Sequence, residues 1–169
     1  LKGRKDVQQA LLRQAKGFQK TTLFGDEETI AAQSLIAAFT DEREIIEDLT
    51  RVTLDFATAK GFALPAAAEL VSKTFASSTN SLTRYGIQVE GAAGSSERLT
   101  SIVKNLDSAF LGQAESAAKA GTGPLKQLSN IWGDLTENVG KALADNLVGL
   151  AKGFTELVGI TSQMIDENP

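Results

Sequence analysis

Residues 110–141, FLGQAESAAKAGTGPLKQLSNIWGDLTENVGK, combine an Ala-rich helical turn, a break and the start of the longest helical pattern in the chain. The break is Gly121-Thr122-Gly123-Pro124. Glycine and proline interrupt helices, although proline is well tolerated in a first turn. We therefore interpret Gly121, Gly123 and Pro124 as a hinge that leads into a long amphipathic helix. The break lacks the Lys-Ser/Thr pair of a P-loop, so it is not predicted to bind phosphate.

Downstream of the hinge, large apolar residues recur every three or four positions. This spacing places them on one helix face and is typical of coiled coils. Several glycines in the same stretch disfavour an isolated helix, so we expect one that needs partners. We predict that this face associates with copies of itself, in a number that the spacing does not fix. The self-association stripe consists of Leu125, Leu128, Trp132, Leu135, Val139, Leu143, Leu147, Leu150, Phe154 and Leu157.

Upstream of the hinge, caps and apolar spacing predict a small domain of about five short helices. Asp26 is a predicted N-cap, and Thr40 or Asp41 is predicted to cap the next helix, because side-chain oxygens accept hydrogen bonds from the free amides of a first turn. Pro65 is predicted to open another helix, and Gly61 to end the one before it. A Ser at position 95 or 96 is predicted to cap the last helix of this domain.

Apolar spacing also predicts which side of each helix is buried, and the resulting fold class is all-α. The predicted divisions are a basic helical arm at 1–20, a helical domain at 21–120, and the hinge plus a long amphipathic, coiled-coil-like helix at 121–169. In the helix that begins near Asp26, the predicted buried residues are Ala31, Leu35, Ala38 and Phe39. In the helix that ends near Gly61, they are Ile45, Leu49, Val52, Phe56 and Ala59.

The chain contains neither Cys nor His. Disulfides, thiolate or imidazole metal sites and Cys-His or Ser-His nucleophile pairs are therefore excluded. Catalysis would have to rest on carboxylates, Lys or the single Tyr85. The acidic residues cluster at predicted helix starts, where capping and the helix dipole explain them. We expect a protein that is not an enzyme, with no catalytic, cofactor-binding or metal-binding residue.

The charge of the chain is uneven. Residues 1–20 carry six basic residues and one acidic residue, Asp6, which gives a net charge of +5. Because the whole chain has a net charge of −4, residues 21–169 carry −9. A basic arm can bind nucleic acid or acidic partners. We favour a solvated helix face, because no aromatic or Gly-rich RNA-binding pattern accompanies it, and we predict no specific nucleic-acid binding.

The segment 139–160 is apolar enough to raise the question of membrane contact. The charged residues Lys141, Asp145, Lys152 and Glu156 fall within it, so we do not expect a spanning helix. The chain opens on Leu and not on Met, which is compatible with a piece of a longer protein.

Four blocks of sequence, in order, resemble the tape measure proteins of long-tailed bacteriophages. The resemblance covers about residues 21–145. It departs from the family pattern at Leu111, where a small residue is common, and at Phe56 and Phe62, which replace smaller or polar residues. The blocks are FGDEE at 24–28 with AAQ at 31–33 and FT at 39–40; LDFA at 54–57 with KG at 60–61 and AA at 66–67; LTRYGI at 82–87; and FLGQA at 110–114 with GPL at 123–125 and DLTENVG at 134–140.

The resemblance implies a structural virion protein. Copies would lie in the lumen of the tail tube, help to set tail length during assembly and be released when DNA is ejected. The implied partners are the tail tube protein, a tail assembly chaperone and tail tip proteins, with host cytoplasm as the location during assembly and membrane contact only at ejection. Two alternatives stay open: a helical protein-interaction or adaptor domain, and a membrane-active helical segment that uses residues 139–160.

Overall fold

The computed structural model describes residues 2–138 and 140–141, and within these residues every regular element is a helix. The prediction of an all-α fold is confirmed. Contacts divide the chain into two compact units, Leu1–Leu128 and Ser129–Pro169. The helices are α1 (Lys2–Thr21), α2 (Asp26–Ala37), α3 (Arg43–Lys60), α4 (Leu64–Ala76), a 3-10 turn (Thr83–Tyr85), α5 (Ser96–Phe110), α6 (Gln113–Lys119) and α7 (residues 123–138).

Helix α3 lies at the centre of the first unit and contacts α1, α2, α4, α5 and α6. Every residue from 52 to 57 is buried, so the predicted narrow stripe is wrong in extent: α3 is covered around most of its circumference in its middle, and Ala59, near its end, is exposed. Two buried hydroxyls on α3 are satisfied within the helix. Thr50 donates to the carbonyl of Ile46 at 2.6 Å, and Thr53 to that of Leu49 at 2.5 Å.

Three helix boundaries lie where the sequence predicts them, at Gly61, Pro65 and Ser95. Gly61 terminates α3 in the left-handed conformation, with φ of 69°, which glycine adopts without steric cost. Pro65 lies in the first turn of α4. The Ser95 hydroxyl accepts a hydrogen bond from the Arg98 amide at 3.1 Å and caps α5.

Two predicted N-caps are wrong by one or two residues. Asp26 is the first residue of α2, and Gly25 occupies the cap position, where its amide donates to the Glu28 carboxylate at 3.3 Å. Helix α3 begins at Arg43, with Glu42 at its N-cap. The Thr40 hydroxyl accepts from the Glu42 amide at 3.3 Å, and this local turn keeps Asp41 in the loop before the helix.

The predicted buried face of α2 is also wrong. The apolar residues that were predicted to be buried are exposed, and the helix buries Thr29, Ala32, Gln33 and Ile36 instead. The Gln33 amide donates to the Leu11 carbonyl at 3.1 Å and to Gln14 Oε1 at 2.9 Å. These bonds to α1 allow a polar side chain to be buried, and they fix a helix rotation that apolar spacing alone does not indicate. The exposed residues are Ala31, Leu35, Ala38 and Phe39.

Helix α1 is packed within the first unit. Ala15 is fully buried, and the helix contacts α2, α3 and α6. The Gln14 amide donates to the Glu47 carbonyl at 3.0 Å, which joins α1 to the start of α3. Helix α1 therefore belongs to the compact unit Leu1–Leu128.

Candidate interaction surface

Helix α7 exposes five large apolar side chains. Leu125 and Leu128 belong to the first unit and are 67% and 59% exposed. In the second unit, Ile131, Trp132 and Leu135 are 55%, 63% and 49% exposed. At about 100° per residue, the spacing of these five positions corresponds to an arc of about 120° of a helix. Scattered apolar side chains are normal on protein surfaces, but a contiguous set marks a candidate binding site.

The self-association stripe is described only in its first part. Leu125 and Leu128 are exposed in the first unit, and Trp132 and Leu135 in the second; their association with other copies stays a prediction. The sequence interpretation missed Ile131, although it lies three positions after Leu128 and four before Leu135, a spacing that places it on the same face. The remaining members, Val139, Leu143, Leu147, Leu150, Phe154 and Leu157, lie outside the described residues.

The first turn of α7 is attached to α1 through a different side of the helix. The Gln127 amide donates to the carbonyls of Lys20 and Thr22, at 3.1 and 3.2 Å. Because Lys20 and Thr22 lie at and just beyond the end of α1, these carbonyls have no continuing helix to satisfy them. The contact holds the start of α7 in place and leaves Leu125 and Leu128 exposed.

The predicted hinge forms the tight turn between α6 and α7. Gly121 adopts φ of 54°, a left-handed conformation. A Cβ atom on Gly123 would lie 2.3 Å from the Ala117 carbonyl oxygen and 2.6 Å from that of Ala118, so only glycine fits. Pro124 is the second residue of α7. The close backbone approach explains the glycine at 123; movement at this turn stays a prediction.

Helix α6 is positioned by a carboxylate from α3. Asp55 is 8% exposed, and its two oxygens accept hydrogen bonds from the Gly112 and Ala114 amides, at 3.1 and 2.8 Å. These amides open α6, whose own N-cap position is held by Gly112, a residue without a side chain. The cap therefore joins two of the four sequence blocks, LDFA and FLGQA.

An aromatic cluster joins the second, third and fourth blocks. Phe56 is fully buried, and its ring centroid lies 5.6 Å from that of Phe62, 5.3 Å from Tyr85 and 5.7 Å from Phe110. Phe62 and Tyr85 also pack edge to face at 5.5 Å. Phe56 and Phe62 thus contact each other.

A surface groove of about 340 Å³ lies beside the turn into α7. Phe24 and Glu28 of the first block line it, together with Ala57 and Gly61 of the second and Gly123 of the last. Residues far apart in the sequence therefore meet where α2 begins, α3 ends and α7 starts.

Among the described residues, two ion pairs, one between helices and one between residues four positions apart, are the electrostatic contacts with a shifted pKa. Arg51 on α3 forms a two-point ion pair with Asp107 on α5, with N···O distances of 2.7 and 2.9 Å. The hydrogen bond to Asp107 raises the pKa of the Arg51 guanidinium. Farther along, the Lys141 ammonium donates to the Glu137 carboxylate and lowers its pKa.

A groove of about 440 Å³ lies between α1 and α2 and is lined largely by apolar side chains. Asp41 is its one titratable lining residue. Among the described residues, no group of three or more His, Cys, Asp or Glu could hold a metal ion. No helix in that part of the chain is long and apolar enough to cross a membrane.

The described residues thus define an all-α protein, and α7 carries five of their eight exposed large apolar side chains. Comparison of the chain with protein-family models, curated proteins and solved structures gave no match.

Proposed function

We propose that this chain is a segment of a phage tail tape measure protein. In this role it is a structural virion protein that helps to set tail length during assembly and leaves the tail tube at DNA ejection. The compact helical unit precedes the ruler, and α7 begins the extended part that associates with other copies.

The exposed face of α7 carries the proposal. Its five large apolar side chains are between 49% and 67% exposed, while the first unit buries a continuous core. A helix with an uncovered apolar stripe is stable in company with other helices. A helix also rises by about 1.5 Å per residue, so a helical bundle is a linear ruler.

The sequence blocks give further support through their positions. The Asp55 cap joins two blocks, the aromatic cluster around Phe56 joins three, and the groove beside Gly123 is lined by three. Some residues of each of the four blocks therefore lie in these contacts within the first unit.

Tail length tests the proposal in the phage or prophage that encodes the chain. An in-frame deletion of about 28 residues, four heptads, from the helical part of the full gene preserves the coiled-coil register. It is expected to shorten the tail by roughly 42 Å, at 1.5 Å per residue, as measured by electron microscopy. A recoded gene with unchanged protein sequence serves as the control. Tails of unaltered length in the deletion strain would rule out the ruler function.

A helical adaptor domain is the second candidate, because the same face of α7 could receive a helix of a different protein. Gene context separates the two candidates. Neighbouring genes for tail tube and tail tip proteins support the tape measure function, and a cellular locus with no tail genes supports the adaptor.

A further inference from the structure

The outward side of α1 carries a row of four cations. Lys5, Arg13, Lys16 and Lys20 are all exposed. At about 100° and 1.5 Å per residue, they fall within an arc of about 80° along roughly 22 Å of helix. We call these four residues the α1 row. The opposite side of the helix, which includes Ala15, is buried in the first unit.

The α1 row is not neutralised within the described part of the chain. None of its four members forms an ion pair there, whereas other cations do: Arg51 pairs with Asp107, and Lys73 with Glu69. Asp6, the acidic residue of α1, lies at the edge of the row. The first unit therefore presents a positive strip although the whole chain has a net charge of −4.

The composition of the strip indicates what it fits. The one other residue within the arc between Lys5 and Lys20 is Gln9, which is exposed. Protein interfaces are anchored by buried apolar and aromatic side chains, and the strip offers none. It offers ammonium, guanidinium and amide donors, which suit phosphate oxygens. Without an aromatic side chain it cannot stack on the bases of a single strand.

We propose that the α1 row is a sequence-independent contact for the phosphate backbone of duplex DNA. One strand carries a phosphate about every 3.4 Å of axis, so each of the four cations finds a phosphate within reach. An anionic lipid surface fits less well, since the strip offers no apolar side chain to insert at the headgroup boundary. The proposal does not depend on the tape measure function.

The test uses the full 169-residue chain and a labelled duplex of about 25 base pairs of random sequence, followed by fluorescence anisotropy over a salt series. If all four cations contact phosphates, the logarithm of the association constant falls with the logarithm of salt concentration with a slope of about −3.6. Duplexes of unrelated sequence are expected to bind equally.

Two variants with the same change in net charge locate the contact. Neutralising the α1 row with Lys5→Gln, Arg13→Gln, Lys16→Gln and Lys20→Gln is expected to weaken binding at low salt by at least about tenfold. Neutralising four exposed cations elsewhere leaves the affinity within about threefold if only the row contacts DNA. This matched control combines Arg43→Gln, Lys73→Gln, Lys104→Gln and Lys119→Gln.

Lys16→Gln alone provides a milder variant, with circular dichroism as the check on folding. It is expected to reduce the magnitude of the salt slope by about one. The proposal is overturned by absent duplex binding at low salt, or by equal losses in the two four-fold variants. Tighter binding to single strands than to duplex, or binding to phosphatidylserine vesicles without binding to duplex, also overturns it.

Discussion

Asp55 supplies the cap that α6 cannot supply for itself. Gly112 holds the N-cap position with φ of 78° and has no side chain, so the first amides of α6 depend on an acceptor from another element. The Asp55 carboxylate accepts from two of them while it is 8% exposed. A charged acceptor at a helix N-terminus benefits from both hydrogen bonding and the helix dipole.

Replacement of Asp55 by Ala is expected to lower the free energy of unfolding by about 2–3 kcal/mol, because the Ala114 amide would be left buried without an acceptor. Urea denaturation, followed by circular dichroism, measures the loss. Asp48→Ala provides the control, since Asp48 is an exposed carboxylate on the same helix, and it is expected to change stability by less than about 0.5 kcal/mol. Equal unfolding midpoints for the two variants would refute the capping role.

Arg98 shows what sequence patterns do not reveal at this scale. Arginine is rarely buried, yet Arg98 is 3% exposed. Its guanidinium donates to the carbonyls of Thr74 at 2.6 Å, Gly91 at 2.9 Å and Thr79 at 3.3 Å. It thereby provides hydrogen-bond donors for a carbonyl at the end of α4 and for carbonyls in two loops. A cap of α5 at Ser95 or Ser96 was predictable because capping is local, whereas the partners of Arg98 lie up to 24 positions away.

At the scale of elements, helix positions followed from the sequence more closely than helix rotations. Breaks at Gly61 and Pro65 are local signals, and the structure places them as predicted. The rotation of α2 depends on Gln33, whose hydrogen bonds to α1 require a helix packed alongside it. The apolar positions of α7 could be predicted because periodicity within one helix determines them; their association with other copies stays a prediction.

Helix α7 has a pH-sensitive contact near its described end. The Lys141 ammonium lowers the pKa of Glu137 from its ordinary value of 4.5, first through their hydrogen bond and then through charge attraction. A carboxylate with a lowered pKa in the folded state stabilises that state above its unfolded pKa, and the contribution is lost as pH falls through the folded pKa.

We therefore expect Glu137→Gln to reduce the helicity of residues 136–138 at pH 6, and this difference from wild type to shrink as the pH falls through the lowered pKa of Glu137. Backbone chemical shifts measured by NMR over a series of falling pH provide the readout. Because both side chains are exposed, the unfolding midpoint of the first unit is expected to stay unchanged. A difference between wild type and variant that does not shrink with falling pH would show that the effect is not the ion pair.

At the scale of the whole molecule, the size of the apolar face sets how strongly copies can associate. Full burial of a large apolar side chain contributes about 1.5–3 kcal/mol. The five exposed residues of α7 are already partly covered, so their further burial contributes on the order of 5–7 kcal/mol. Association costs about 4–15 kcal/mol in lost freedom. The described face alone therefore supports weak association, and strong association requires the rest of the predicted stripe.

The full chain is accordingly expected to associate at micromolar concentrations, and Trp132 is the residue whose loss is expected to matter most on the described face. Trp132→Glu places a charge in the centre of that face, where an interface would leave it unpaired, and is expected to keep the chain monomeric.

Lys126→Gln changes the net charge by the same amount on the opposite side of α7 and is expected to associate like wild type. Sedimentation velocity over a concentration series separates these outcomes. If wild type stays monomeric throughout, or if both variants associate equally, the face of α7 does not bind copies of this chain, and a helix from a different protein becomes the partner to seek.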